Sequence, residues 1–279
     1  MEDLINLKPI LHSKRANIFY LEHCRVMQKD GRVLYLTEAK QTNQYWNIPI
    51  ANTTVILLGT GTSLTQAAVR LLAKAGVTIG FCGGGATPLL QATEIEWMTP
   101  QNEYRPTEYV QNWLRFWFND NSRLKVAKSF QISRLQYLSN VWKKDRDFQN
   151  WGFIADDSIV ESAINLFRKK IDSSDNVNTL LTAEAEFTKS LYRFSASSLD
   201  IQFTRNRDDT GLANTFLNHG NYLAYGSAAT ALWVLGIPFA FAVMHGKTRR
   251  GALVFDVADL IKDALVLPSA FICEKDTLT

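Results

Sequence analysis

Near Pro100 the hydrophobic pattern of the chain changes period. Before it, short runs rich in Val, Ile, Leu and Tyr (Ile18 to Met27, Arg32 to Thr37, Val55 to Leu58, Val77 to Cys82) are separated by glycine turns, the texture of strands. Asp30-Gly31 tolerates positive φ and predicts a tight hairpin between the first two runs. Leu64, Ala67, Ala68, Leu71 and Leu72 recur at helical spacing after Ser63, read as an N-cap, and Gly76 ends that run. Beyond Pro100 helical spacing predominates. Helices are predicted from Pro106-Thr107-Glu108, from Ser122 to about Trp142, and over Ser158 to Ile171, Thr179 to Arg193, Thr210 to Leu217, Asn221 to Leu235 and Asp256 to Leu265. The two textures predict an α+β protein. A small, mainly β domain with one helix occupies residues 1–100 and a larger all-α domain residues 101–279, with the boundary between Met98 and Pro106.

Tyr222 to Met244 carries no charge over 23 residues, long enough to suggest a membrane span. Small residues fill its first half, Gly236 and Pro238 interrupt it, and Phe239 to Val243 reads as a short strand, so a buried helix followed by a buried strand is the expectation. The N-terminus has no apolar run and does not read as a secretory signal. Cys24, Cys82 and Cys273 lie far apart with no CxxC pair, which excludes a disulfide framework or zinc knuckle and points to the cytoplasm. A net charge of +3 is too small to make the whole surface an anion trap, so any nucleic-acid footprint must be local.

On the helix from Thr179, Glu184 falls inside the apolar stripe of Leu180, Phe187 and Leu191, whereas Glu186 points about 200° away and reads as a solvated charge. A buried carboxylate needs a partner, and two stand open here: an Arg across a helix interface, or a cation at a site. Downstream, His245 closes the apolar run Phe239 to Met244 and is followed by a basic turn with Lys247, Arg249 and Arg250. Ala252 to Phe255 then leads to a helix on which Asp256 and Asp259 stand at i and i+3, on one face. Adjacent carboxylates repel unless a cation lies near. A buried Glu, a His and an Asp pair converging make a mixed oxygen and nitrogen site suited to Mg²⁺ or Mn²⁺, and the basic turn beside it suits a phosphodiester.

Two weaker signals accompany these. Leu57-Leu58-Gly59-Thr60-Gly61-Thr62-Ser63 leads from strand to helix as phosphate-cradling loops do, but lacks the third glycine, the Gly-Lys-Ser/Thr and the distant acidic residue, so a tight turn explains it more simply. Between Asn121 and Asn150, Arg123, Lys125, Lys128, Arg134, Lys143, Lys144 and Arg146 face only Asp145 and Asp147, which is either a DNA-backbone face or an ordinary solvated one.

The blocks Thr179 to Glu184 with Tyr192, Ala242 to Gly246, and Leu253 to Asp259, together with Leu58 to Thr65 and Ala68 to Leu72, resemble the signature blocks of the CRISPR-associated integrase family, the Cas-one nucleases of spacer acquisition, with the type I-F branch nearest. The resemblance spans Ile18 to about Ile272. Ala185 departs from the usual glycine, and the chain stops at Thr279 where members commonly continue. The resemblance implies that Glu184, His245 and Asp259 hold the divalent metal, with Asp256 as an adjacent acidic residue needed for catalysis. It also implies a homodimer through the β domains, DNA substrates (prespacer and CRISPR repeat), no membrane, and a Cas-two partner that in type I-F is fused to Cas-three. Two other functions compete: a metal-dependent repair nuclease without integration, and a nucleotide-binding module built on the Gly59 turn.

Overall fold

The computed structural model describes residues 15–39, 42–89, 95–100, 107–206, 211–246 and 251–278. It divides into two compact units, Met1–Thr107 and Glu108–Thr279. The first carries the strands and the second is helical, an α+β arrangement.

In the first unit β1 (Asn17–Leu21), β5 (Thr53–Leu58) and β7 (Thr78–Phe81) run parallel, and β8 (Glu96–Met98) adds an antiparallel edge, in the order β1-β5-β7-β8. All six residues of β5 are buried, as a central parallel strand covered on both faces requires. The second sheet, β4-β3-β2-β6, contains β2 (Arg25–Lys29), β3 (Arg32–Ala39), β4 (Thr42–Ile48) and β6 (Ser63–Leu64). The expected single strand Ile18 to Met27 is therefore two strands in two sheets. The chain turns between them at His23, whose φ is 48° and whose N–H donates to the Thr60 carbonyl at 2.9 Å. β4 escaped prediction because Gln44, Tyr45, Trp46 and Asn47 are all exposed and show no alternation. Helix α1 (Gln66–Lys74) is capped by Thr65, which accepts from Ala68 N–H at 3.3 Å; Ser63, expected to cap it, pairs in β6 instead.

The glycine turn holds side chains of its own unit. A Cβ on Gly59 would lie 2.5 Å from the Tyr20 hydroxyl, and one on Gly61 2.6 Å from His23 Nδ1. Tyr20 donates to Glu22 at 2.5 Å and accepts from the Gly85 N–H at 2.6 Å, which ties the second glycine loop to the same spot. The two glycines thus admit the Tyr20 and His23 side chains, which any larger residue would displace.

The helical unit comprises α2 (Glu108–Trp117), α3 (Asp120–Lys144), α4 (Arg146–Asn150), α5 (Ser158–Ser173), α6 (Val177–Ser198), α7 (Leu212–Leu235), α8 (Ala252–Ile261), a π-helical turn (Lys262–Val266) and α9 (Leu267–Leu278). Its core contains Trp142, Phe153, Phe167, Leu180 and Phe271, with Phe167 stacked on Phe187 at 4.6 Å. Two expected helices, Thr210 to Leu217 and Asn221 to Leu235, are one continuous α7, and no described helix is long and apolar enough to cross a membrane.

The expected strand Phe239 to Met244 is irregular backbone. Its polar groups are satisfied by side chains rather than by a neighbouring strand: Trp113 and Trp117 donate their indole N–H groups to the Phe241 and Ala242 carbonyls at 3.0 and 2.7 Å. Ala252 to Phe255, read as a lead-in, is the first turn of α8. In the basic stretch, Arg123 and Arg134 are buried, so they cannot belong to a solvent-facing DNA surface.

Gly220, inside α7, lies against the π-helical turn: a Cβ there would come within 2.6 Å of Val266 Cγ1. Overpacking costs about 1–3 kcal/mol and outweighs the gain of up to ~1 kcal/mol from replacing a helical glycine. Gly220→Ala is therefore expected to lower stability in urea denaturation, and Val266→Ala in the same chain to relieve part of that loss.

Candidate active site

Helix α6 opens with a capping box between Asn176 and Thr179 and buries Leu180, Ala183, Phe187 and Leu191. Glu184 lies on the edge of this stripe with its side chain 16% exposed. The Arg of the first reading is its partner here. Arg134, on the buried face of α3, donates from Nη1 to Glu184 Oε1 at 2.7 Å. Thr188, one turn further along α6, donates to the same oxygen at 3.0 Å. Glu184 Oε2 has no hydrogen-bond partner among the described residues. Glu186 is exposed and pairs with Lys170, as an ordinary surface charge.

The loop after α7 is folded around one carboxylate. Asp256 Oδ2 accepts from the N–H groups of Val243 and Met244 at 2.6 and 3.1 Å. Its Oδ1 accepts from His245 N–H at 3.1 Å and faces His245 Nδ1 at 2.7 Å. An ionised Asp256 places the ring proton on Nδ1, which leaves the lone pair of neutral His245 on Nε2. Nε2 stands 3.7 Å from Asp259 Oδ2, beyond hydrogen-bond reach. The other Asp259 oxygen pairs with Lys262, whose ammonium lies over the Tyr225 ring at 5.4 Å from its centroid.

The electrostatics join these pieces into one cluster. Burial opposes a charge on His245, but the Asp256 hydrogen bond and the charges of Asp259, Asp256 and Glu184 prevail and raise its pKa. Burial likewise opposes the Asp259 charge, and Lys262, Arg134 and His245 together bring its pKa below the usual carboxylate value. Asp263 is held above that value by burial, although Arg134 Nε sits 2.5 Å from it.

His245 thus lies against Asp256 and near Asp259, and Glu184 is close enough for its charge to act on the His245 ring, while Lys247, Arg249 and Arg250 lie outside the described residues. As they are placed, no three acidic, His or Cys side chains among the described residues form a ready metal cluster. Cations of the protein stand there instead, Arg134 on Glu184 and Lys262 on Asp259. The donors nevertheless suit a hard divalent ion. Two carboxylate oxygens and an imidazole nitrogen are uncommitted, and ligands of one such ion stand roughly 3–4 Å apart, the spacing of Nε2 and Oδ2. Among the described residues, four carboxyl groups (Glu184, Asp256, Asp259, Asp263) face two fixed cations (Arg134, Lys262), so the acidic groups outnumber the cations paired with them.

Sequence reasoning missed Arg134, Asp263, Thr188 and Lys262. The signal for Arg134 was present: it falls on the α3 stripe of Ala127, Gln131, Leu135, Leu138 and Trp142, the same criterion that singled out Glu184.

Asp256→Ala removes the acceptor of three backbone N–H groups and the imidazole at a buried point. An orphaned buried donor costs about 1–3 kcal/mol, so a loss of at least about 3 kcal/mol is expected in chemical denaturation. Glu186→Ala, breaking an exposed pair, is expected to cost under about 1 kcal/mol.

The family model for CRISPR associated protein Cas1 matches residues 18–271. The CRISPR-associated endonuclease Cas1 of Pseudomonas aeruginosa (strain UCBPP-PA14) is 54% identical over 273 residues, covering 95% of this chain and 84% of that protein. A TtCas1-DNA complex shares the fold with a TM-score of 0.63 at 21% identity, covering 96% of this chain and 86% of that one. A partial Cas6-RT-Cas1–Cas2 complex shares it with a TM-score of 0.66 at 12% identity, covering 95% and 77%. The chain belongs to the CRISPR-associated Cas1 family.

Proposed function

We propose that this protein is a divalent-metal-dependent DNA endonuclease and integrase that inserts spacer DNA into a CRISPR array in the cytoplasm. One observation carries the reading: Glu184, His245 and Asp259 each keep a donor atom without a hydrogen-bond partner among the described residues, in a cluster where the described carboxyl groups outnumber the described cations. Glu184, His245 and Asp259 would hold the ion, Mg²⁺ or Mn²⁺. When bound it polarises the scissile phosphate and stabilises the charge of the in-line displacement. Asp256 acts on His245, fixing its tautomer and the direction of its ring. Arg134 and Lys262 keep the remaining charge tolerable in a buried setting. The nucleophile is a 3′-hydroxyl in integration and water in hydrolysis.

Lys247, Arg249 and Arg250 follow His245 within five positions and are assigned to gripping the DNA backbone. Among the matched structures one is a Cas1–DNA complex and one contains Cas2, which supports DNA as substrate and a Cas2 partner, fused to Cas3 if the type I-F likeness holds. A homodimer through the first unit is supported by half-exposed Tyr45 and Trp46 on the edge strand β4. It is expected to bury at least about 1,200 Å² and to persist at micromolar concentration in ultracentrifugation; a monodisperse monomer would exclude it.

Glu184→Ala is expected to abolish Mn²⁺-dependent cleavage of DNA, while Glu186→Ala retains it. Equal activity in the two variants would sink the assignment. Replacing Lys247, Arg249 and Arg250 together by Ala is expected to weaken binding to unrelated DNA sequences alike. The slope of log affinity against log salt should flatten by about 0.9 per lost phosphate contact. Unchanged affinity and slope would remove the basic turn from the mechanism.

A further inference from the structure

Arg134 is a charged side chain almost wholly withdrawn from solvent, 2% exposed, and it meets two of the segments around the candidate site, α6 and the π-helical turn that follows the Asp259-bearing helix. Nη1 meets Glu184 on α6, Nη2 meets Thr188 one turn along at 2.9 Å, and Nε meets Asp263 one turn beyond Asp259. Nη1 also reaches Gln131 Oε1 at 3.3 Å, and Gln131 Nε2 lies 3.0 Å from Met244 Sδ, next to His245. One planar guanidinium on α3 therefore spans α6, the π-helical turn and, through Gln131, the His245 loop.

The contacts on Glu184 are one-sided. Arg134 and Thr188 both take Oε1, and Oε2 is left without a partner among the described residues. A counter-ion whose only task was to neutralise Glu184 would gain most from both oxygens, as bidentate Arg–carboxylate pairs do. Here the guanidinium fork is instead divided between two carboxylates, one on each of the segments whose spacing sets the site.

We propose that Arg134 is a positioning residue of the metal centre. It fixes the Glu184 rotamer through Oε1 so that Oε2 is presented to the ion, and it sets the distance between α6 and the Asp259-bearing helix through Asp263. This rests on the metal-site reading above. Arginine is required rather than any cation, because an ammonium cannot make the in-plane contacts to Glu184, Thr188 and Asp263 at once.

Arg134→Lys separates geometry from charge. It keeps the cluster's charge, so a purely electrostatic role leaves Mn²⁺ affinity unchanged. A positioning role predicts Mn²⁺ binding weakened about tenfold or more by calorimetry, as loss of an outer-shell partner commonly does, and an altered electron paramagnetic resonance spectrum of the bound ion. A merely structural role would lower the unfolding temperature and leave both readouts of the folded protein unmoved. Unchanged or tighter Mn²⁺ binding in Arg134→Lys would overturn the proposal. Should Arg134→Lys fail to fold, Thr188→Val serves instead. It removes the hydroxyl shared by Arg134 and Glu184 at no change in charge, and a several-fold loss of Mn²⁺ affinity supports the proposal where unaltered affinity refutes it. A wild-type chain that takes up no Mn²⁺ would defeat the metal reading itself, whereas wild-type uptake with an unaffected Arg134→Lys would defeat only the role of Arg134.

Discussion

Keeping four carboxylates inside one helical unit is the constraint around which that unit is arranged. An unpaired ion in such a place costs several kcal/mol, and each of the four meets a different answer. Asp256 is bound by three backbone N–H groups and an imidazole. Asp263 and Glu184 share Arg134, and Asp259 takes Lys262. Several features of the fold follow. Residues 241–245 do not form a strand: three of their donors are spent on Asp256, and two of their carbonyls on the indoles of α2. The π-helical turn after Asp259 leaves the Ala264 carbonyl to accept from Trp142 at 3.1 Å, so the largest buried aromatic of α3 is locked against the same segment. Surface pairs such as Lys143–Asp156, more than half exposed on both sides, decorate the unit without deciding its structure.

The order of the two textures was legible because period is a property of every residue in a segment and survives local exceptions. The errors fall where one residue overrides its neighbours. His23 takes a positive φ and sends an apparently continuous run into two sheets. The break expected between Leu217 and Asn221 is absent: Gly220 lies inside an unbroken α7 and permits the close approach of Val266. The apolar run Phe239 to Met244 had the composition of a strand, but a strand needs a ladder partner. In a helical unit the backbone found side chains instead.

Of the candidate site, the proposed ligands were the readable part. Glu184 shows as a charge on an apolar stripe, and Asp256 with Asp259 as a pair on one helical face, patterns local to a few turns. The supporting contacts join residues such as Arg134 and Asp263, 129 positions apart, and no spacing rule connects them. Arg134 was also hidden by its company, since six other cations in its stretch made it look like part of a basic surface.

The balance of the cluster bears on how such a site is tuned. A third fixed cation would stabilise the resting protein by pairing the remaining charge, and it would also compete with any ion from solution for the same oxygens. Too few would leave buried carboxylates that must protonate or move apart. The arrangement lies between these limits. Asp256 is stabilised by backbone dipoles, which hold its charge without adding a competing ion, and Arg134 divides itself between two carboxylates while leaving an oxygen of Glu184 open. His245 supplies the adjustable element. Burial opposes a charge on its ring while the Asp256 hydrogen bond and the charges of Asp259, Asp256 and Glu184 favour one, and the bond from Nδ1 to Asp256 fixes the direction of the ring, so that Nε2 is turned away from that carboxylate.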